Sequence, residues 1–236
     1  MRDSWRHFAA EFIGIFALVF VGGASIMSAA MSKSGNGLLV AAIAHGLIVA
    51  IMVTATMRVS GHINPAVTLA FLATRRIEPM MAMVYVVAQL LGAAVAAYAL
   101  KAIFPAEIAV ATRLGGQSVA LELSAGQAVL CEFLATFFLT FVVFGTAVDP
   151  AAPKVGGFAI GLAVTADILA IGPLTGASMN PARSFGPAVV SGVLEGQAIY
   201  WIGPILGSVA AAVLYDRLLL RRGKEPADHG AVRPTA

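Results

Sequence analysis

The chain has 236 residues, of which 59% are hydrophobic and only 11% are charged, and its formal net charge is +3. Soluble domains carry about a quarter charged residues, so this composition excludes an ordinary soluble enzyme, and the small charge argues against a nucleic-acid-binding surface. The single cysteine, Cys131, excludes a disulfide framework or a thiolate metal site within one chain.

Six apolar runs are predicted to cross a membrane, because a helix needs about 20 apolar residues to span the hydrocarbon core. In chain order they are Phe8 to Ala30, Leu38 to Met57, Met80 to Phe104, Gly126 to Val148, Gly156 to Leu174 and Ala198 to Leu220. Two further runs, Pro65 to Thr74 and Pro181 to Ser191, are too short to cross, and each begins at the proline of an Asn-Pro-Ala sequence. They are predicted to be half-helices.

The two parts of the chain resemble each other. "AEFIGIFALVFVG" from Ala10 is similar to "CEFLATFFLTFVVFG" from Cys131, and "YVVAQLLGAAVAAY" from Tyr85 is similar to "YWIGPILGSVAAAVLY" from Tyr200. Each half, at about residues 8–104 and 126–220, holds three spans, so the second half must enter the membrane from the opposite side. The sequence thus predicts one channel domain over residues 1–222, with the pathway between its halves, and a polar tail over residues 223–236.

The basic residues predict the orientation. With both termini in the cytoplasm, 11 of the 15 Lys and Arg residues lie on that side, and Lys33, Lys101, Arg113 and Arg183 lie on the other. This bias follows the positive-inside rule. The compact termini and loops suit a bacterial plasma (inner) membrane, which is expected rather than a vacuolar membrane.

The repeated Asn-Pro-Ala suits the start of a helix, because Asn caps a helix and Pro is tolerated at the first helical position. The motif residues are Asn64, Pro65 and Ala66 in the first half and Asn180, Pro181 and Ala182 in the second. Two half-helices that meet near the midplane would present amide donors and the positive ends of two helix dipoles. Such a site favours a neutral dipolar solute over a cation. A single copy could be only a turn before a helix, but two equivalent copies favour a pore.

The chain resembles the aquaporins, the major intrinsic protein family, over about Phe8 to Leu220. The resemblance is carried by "SGHINPAVT", "SMNPARSFGPA", "AEF", "CEF" and "AQLLGA", and "TAVDP" from Thr146 is similar to plant tonoplast intrinsic proteins. It implies an all-α membrane fold of six transmembrane helices and two re-entrant half-helices in an inverted 3+3 repeat. It also implies a homotetramer with one pore per subunit.

The resemblance implies a role for several other residues. The selectivity filter would comprise His45, Ile168, Ala177 and Arg183, a set similar to that of tonoplast members. Glu11 and Glu132 would accept hydrogen bonds from the backbone of the re-entrant loops, and His62 would line the cytoplasmic vestibule. Asp167 stands where relatives usually have a neutral residue. It either forms a local hydrogen bond away from the pore, alters the charge of the filter, or is a partner for His45.

The expected function is a passive water channel in the lipid bilayer, with ammonia, urea or glycerol as possible further solutes and with ions and protons excluded. The alternatives are an ion-coupled secondary transporter and a glycerol-type facilitator. Against the transporter, the acidic residues within the spans are too scattered to form an ion-coupling site. Against the facilitator stand Ser184 and Ala188, where glycerol-type members usually have Asp and a basic residue. The loop over residues 105–125 lacks the His of some ammonia-conducting members. No enzymatic activity, cofactor, metal or nucleic-acid partner is expected.

Overall fold

The computed structural model describes residues 4–33, 35–153 and 155–220, and the tail expected over residues 223–236 lies outside them. The helices of the described residues are α1 (Ser4–Met31), α2 (Gly37–Thr56), α3 (Pro65–Ala73), α4 (Pro79–Ile103), α5 (Ala106–Ala111), α6 (Ala125–Val143), α7 (Gly157–Thr175), α8 (Pro181–Ser191) and α9 (Ile199–Leu218). A 3₁₀ turn at Arg113–Gly115 follows α5, and a π-helical turn at Phe144–Val148 extends α6.

Six of the described helices are long and apolar enough to cross a membrane: α1, α2, α4, α6, α7 and α9. The expected all-α membrane fold is therefore confirmed, and the ends of the spans lie within five residues of the predicted ones. Both half-helices, α3 and α8, begin at the proline of Asn-Pro-Ala as predicted. The short helix α5 was not predicted.

The two halves of the chain interlock through their half-helices. Within each half the first span packs against the third, α1 against α4 and α6 against α9, while α2 packs against α7 across the two halves. Each half-helix packs on the last span of the other half, α3 on α9 and α8 on α4. Most of the packing of each half-helix is therefore supplied by the other half.

Glycines allow the close packing of the first and third spans. A Cβ on Gly92 would lie 2.5 Å from the carbonyl oxygen of Phe12, and a Cβ on Gly207 would collide with the carbonyl oxygen of Phe133. Small residues at these crossings let helix backbones approach within the membrane, where packing drives association.

Large apolar side chains cover the outside of the bundle. Leu47 of α2, Phe138 of α6 and Leu206 of α9 are each more than half exposed. On spans of this length, such side chains face the hydrocarbon of a lipid bilayer.

Candidate conduction pathway

A cavity of about 250 Å³ lies between the two halves. Its walls come from α1 to α4, from α6 to α8 and from the two loops that precede the half-helices. Apolar side chains such as Val49, Leu139 and Val164 line much of it. The polar side chains in its lining are those of His45, Ser60, His62, Asn64, Tyr85, Ser178, Asn180 and Arg183. The cavity therefore offers hydrogen bonds at a few places along an apolar wall.

The two Asn side chains cap the half-helices. The Oδ1 atom of Asn64 accepts a hydrogen bond from the Ala66 N–H at 2.9 Å. The Oδ1 atom of Asn180 accepts from the N–H groups of Ala182, at 3.0 Å, and Arg183, at 3.3 Å. Because an Asn amide is planar, fixing Oδ1 against the helix also fixes the direction of its NH₂ group.

The NH₂ group of each Asn reaches across to the other half. Asn64 Nδ2 donates to the carbonyl oxygen of Met179 at 2.8 Å, and Asn180 Nδ2 donates to the carbonyl oxygen of Ile63 at 2.8 Å. An amide nitrogen carries two N–H donors, so one remains on each Asn beside the cavity. Through these two hydrogen bonds the loop carbonyls hold the two halves of the chain together.

Ile63 and Met179 precede the two Asn residues in a left-handed backbone conformation, with φ of 52° and 55°. This conformation is rare for a β-branched residue such as Ile and persists only where surrounding contacts hold it. It is stabilised here by a buried carboxylate in each half. Glu11 accepts from the N–H of Ile63 at 2.6 Å, and Glu132 accepts from the N–H of Met179 at 2.8 Å.

Each carboxylate also accepts from the residue one step earlier in the loop. The His62 N–H donates to Glu11 at 2.9 Å, and the Ser178 N–H donates to Glu132 at 2.9 Å. Both carboxylates are fully buried, with 0% exposure. A buried acid needs several donors to offset its lost hydration, and the two loops supply them.

Further donors around Glu11 were missed by the sequence analysis. Gln89 Nε2 donates to Glu11 at 2.6 Å and lies 3.1 Å from Thr68 Oγ1, and the Ser60 hydroxyl also donates to Glu11. Gln89 thus ties α4 to both α1 and α3. The sequence signal for this role is a polar residue inside the apolar run "AQLLGA".

The corresponding support for Glu132 uses hydroxyl groups. Thr175 Oγ1 donates to Glu132 at 2.7 Å, and the Tyr200 hydroxyl donates to the carbonyl oxygen of Thr175 at 2.9 Å. Tyr200 therefore connects α9 to the end of α7 and, through Thr175, to the carboxylate.

All four filter residues named in the sequence analysis line the cavity: His45 from α2, Ile168 from α7, Ala177 from the loop before α8, and Arg183 from α8. Arg183 Nη2 lies 2.8 Å from His45 Nε2. The other ring nitrogen, Nδ1, lies 2.7 Å from the carbonyl oxygen of Ala41. Since a carbonyl only accepts, Nδ1 carries the hydrogen, and Nε2 of the neutral ring accepts from the guanidinium.

Two donor atoms of Arg183 have no acceptor in the part of the chain that the structure describes. Its Nε and Nη1 atoms are buried and have no partner among the described residues. Arg183 lines the cavity, so its guanidinium is the charged group nearest to a solute at this point. With His45 occupied on both nitrogens, the filter presents guanidinium donors and no free imidazole donor.

His62 lies in the wall of the cavity beside Phe71 and Tyr85. Its ring centroid is 4.2 Å from that of Phe71 and 5.0 Å from that of Tyr85. Its Nδ1 atom is 3.2 Å from Thr68 Oγ1. The ring both lines the cavity and braces the start of α3.

Asp167 does not line the cavity. It is half-buried on α7, and its Oδ2 atom is buried without a partner among the residues described. Both ring nitrogens of His45 are bonded elsewhere. The interpretation of Asp167 as a partner for His45 is therefore wrong, because that ring has no nitrogen left for it.

Comparison with known proteins identifies the relatives of the chain. Residues 1–215 match the family model described as "Major intrinsic protein". The chain is 44% identical to "Aquaporin TIP4-4" of Zea mays, covering 92% of this chain and 88% of that protein. It is 39% identical to "Probable aquaporin TIP3-2" of Arabidopsis thaliana, covering 99% and 91%. Its fold is similar to that in "X-ray structure of the aquaglyceroporin from Plasmodium falciparum", with a TM-score of 0.81, 24% identity and coverage of 91% and 96%.

Proposed function

The chain belongs to the major intrinsic protein family, and we propose that the cavity between its two halves is the route by which solutes cross the membrane. It is an integral, multi-pass membrane protein and a passive channel for water and small neutral solutes. An ion-coupled transporter is not favoured, and the relatives belong to a family of channels rather than enzymes. The resemblance to plant tonoplast intrinsic proteins is confirmed by the relatives.

This route is proposed because two polar sites, the pair of Asn side chains and the pair His45 and Arg183, line the same cavity. The crossed amides of Asn64 and Asn180 lie in its wall, and so do His45 and Arg183. A water molecule can give its oxygen to the remaining Asn N–H donors and, further along, to the Arg183 donors. Between these places the wall is apolar, so water passes without being held at every step.

Cations are excluded at both places for the same physical reason. A cation that enters a narrow pore must find replacements for its hydration shell. The donors of the Asn and Arg183 side chains offer positive rather than negative ends, and Arg183 keeps its charge because guanidinium is not deprotonated in proteins. We assign Arg183 as a donor for solutes and a barrier to cations.

Water is proposed as the main solute, and ammonia, urea and glycerol are candidates for additional solutes. Ile168 and Ala177 give the filter two apolar walls without a large aromatic ring. The bond from Arg183 to His45 draws one end of the guanidinium to the α2 wall. Both features leave room for a solute larger than water.

We propose that both termini lie in the cytoplasm, on the strength of the Lys and Arg distribution. We also propose a homotetramer with one pore per subunit, which the family resemblance implies. Light scattering of the detergent-purified protein tests the tetramer. The relatives are plant TIP aquaporins and give no support to the expected bacterial plasma membrane or to a preference for a plasma over a vacuolar membrane.

The test of the proposed function is stopped-flow light scattering on proteoliposomes that contain the full chain. The vesicles are challenged in turn with an impermeant osmolyte, urea, glycerol and an ammonia gradient. We expect a clear rise in water permeability over empty liposomes, with no rise in proton or cation leak. Correctly folded protein that raises no permeability contradicts the proposal.

A further inference from the structure

Gly22 of α1 lies against the filter without forming part of the cavity wall. The positions Gly14, Leu18 and Gly22 follow at four-residue steps and share one face of α1. Leu18 lines the cavity, and Gly22 is buried one turn further along. Gly22 is not one of the filter residues that the family resemblance implies.

The space next to Gly22 is filled by the imidazole of His45. A Cβ on Gly22 would lie 2.5 Å from His45 Cδ2 and 2.7 Å from Cε1, and it would collide with Nε2. These are ring atoms, and the ring is held from its other side by the bond between Nδ1 and the Ala41 carbonyl. The ring therefore cannot yield to a methyl group and keep this position.

The atom with which the methyl group would collide is also the acceptor for the filter arginine. His45 Nε2 lies 2.8 Å from Arg183 Nη2. An ordinary side chain at position 22 would thus displace the group that holds the guanidinium. We infer that Gly22 is a positioning residue for solute selectivity, which acts by leaving room for the His45 ring that draws Arg183 to the α2 wall.

This inference rests on the proposed function, and it predicts the direction in which the ratio of urea to water permeability changes. When His45 is displaced, Arg183 Nη2 loses its acceptor, and the guanidinium turns its donors into the cavity. The filter becomes narrower, and this hinders urea more than water. We expect Gly22→Ala to lower the ratio of urea to water permeability about fivefold, the factor equivalent to one hydrogen bond of about 1 kcal/mol.

The experiment is a double-mutant cycle in proteoliposomes, with water and urea permeability measured for the parent chain, Gly22→Ala, His45→Ala and the double variant. If Gly22 acts through the imidazole, Gly22→Ala changes the ratio in the parent chain but not in the His45→Ala background. Equal changes in both backgrounds overturn the inference. If the parent chain shows no water permeability, the proposed function is refuted instead. The coupling between Gly22 and His45 is then measured by thermal unfolding of the same four proteins.

Gly23→Ala is the matched control. A Cβ there would lie 2.5 Å from Leu100 Cδ1 and 3.1 Å from the carbonyl oxygen of Leu114, away from the filter. A similar loss of the urea-to-water ratio in this variant contradicts the inference. If Gly22→Ala does not fold, recovery of folding in the double variant supports the collision with His45. If neither variant folds, Gly22 serves helix packing alone, and the inference is overturned.

Discussion

Replacing Glu132 with Gln should loosen the loop that carries the second Asn-Pro-Ala. Three donors converge on this carboxylate: Oε1 accepts from the Thr175 hydroxyl and the Ser178 N–H, and Oε2 accepts from the Met179 N–H. A Gln side chain has the same shape but offers only one oxygen. The Thr175 hydroxyl can rotate and accept from the new NH₂ group, whereas a backbone N–H cannot.

One loop N–H therefore loses its acceptor in Glu132→Gln, whichever way the amide is turned. The site is fully buried, so water does not replace the lost bond. A buried donor left unpaired costs about 2 kcal/mol, which corresponds to a fall in melting temperature of about 6 °C for a chain of this size. The effect should reach the pore, because the carbonyl of Met179 accepts the hydrogen bond from Asn64.

Thermal unfolding of the detergent-purified protein measures the first effect, and the water permeability of proteoliposomes measures the second. Glu107→Gln is the matched control, since it makes the same chemical change on an exposed residue of α5 and should alter neither quantity. Glu11→Gln should resemble Glu132→Gln, because the loop N–H groups of His62 and Ile63 bond to different oxygens of Glu11. An unchanged melting temperature in Glu132→Gln would refute the reasoning.

Three further predictions concern the filter, α7 and the single cysteine. Arg183→Val should raise urea and glycerol permeability several-fold by removing the filter donors, and unchanged selectivity in the solute assays would exclude Arg183 from this role. Asp167→Asn should raise the melting temperature, because it removes a carboxylate whose Oδ2 is buried without a partner in the described part of the chain, and should leave water permeability unaltered; a loss of permeability would show a pore function. Mercury should inhibit water flow weakly, since Ala177 stands in the filter and Cys131 lies outside the cavity lining, and strong inhibition that persists in Cys131→Ala would contradict this.

The spans and half-helices could be predicted from sequence because their signals are local. Length and hydropathy identify a span, and the Asn-Pro pair marks the first residue of each half-helix. Helix α5 lacked such a signal, since "AEIAVA" from Ala106 is too short for a span and carries no Asn-Pro start. The structure places it in the connection between the two halves.

The arrangement around the site depends on contacts between distant residues, which no local pattern shows. The left-handed conformation of Ile63 opposes the local preference of a β-branched residue, and it follows only from the position of Glu11 on another helix. The same is true of Gly22, which in the sequence is one small residue among many in an apolar run. The role of Gly22 follows from its contact with the ring of His45, which lies on α2.

The crossed amides have a consequence for biosynthesis. Asn64 bonds to a carbonyl that is made more than a hundred residues later, and α3 packs on α9, the last helix described. α3 can bond to α4 of its own half through Gln89, but its partner surface on α9 is made only when the chain is almost finished. Nor can the first half reach its native state alone, because Asn64 would lack its acceptor. The route for solutes can therefore be completed only after the second half of the chain has been made.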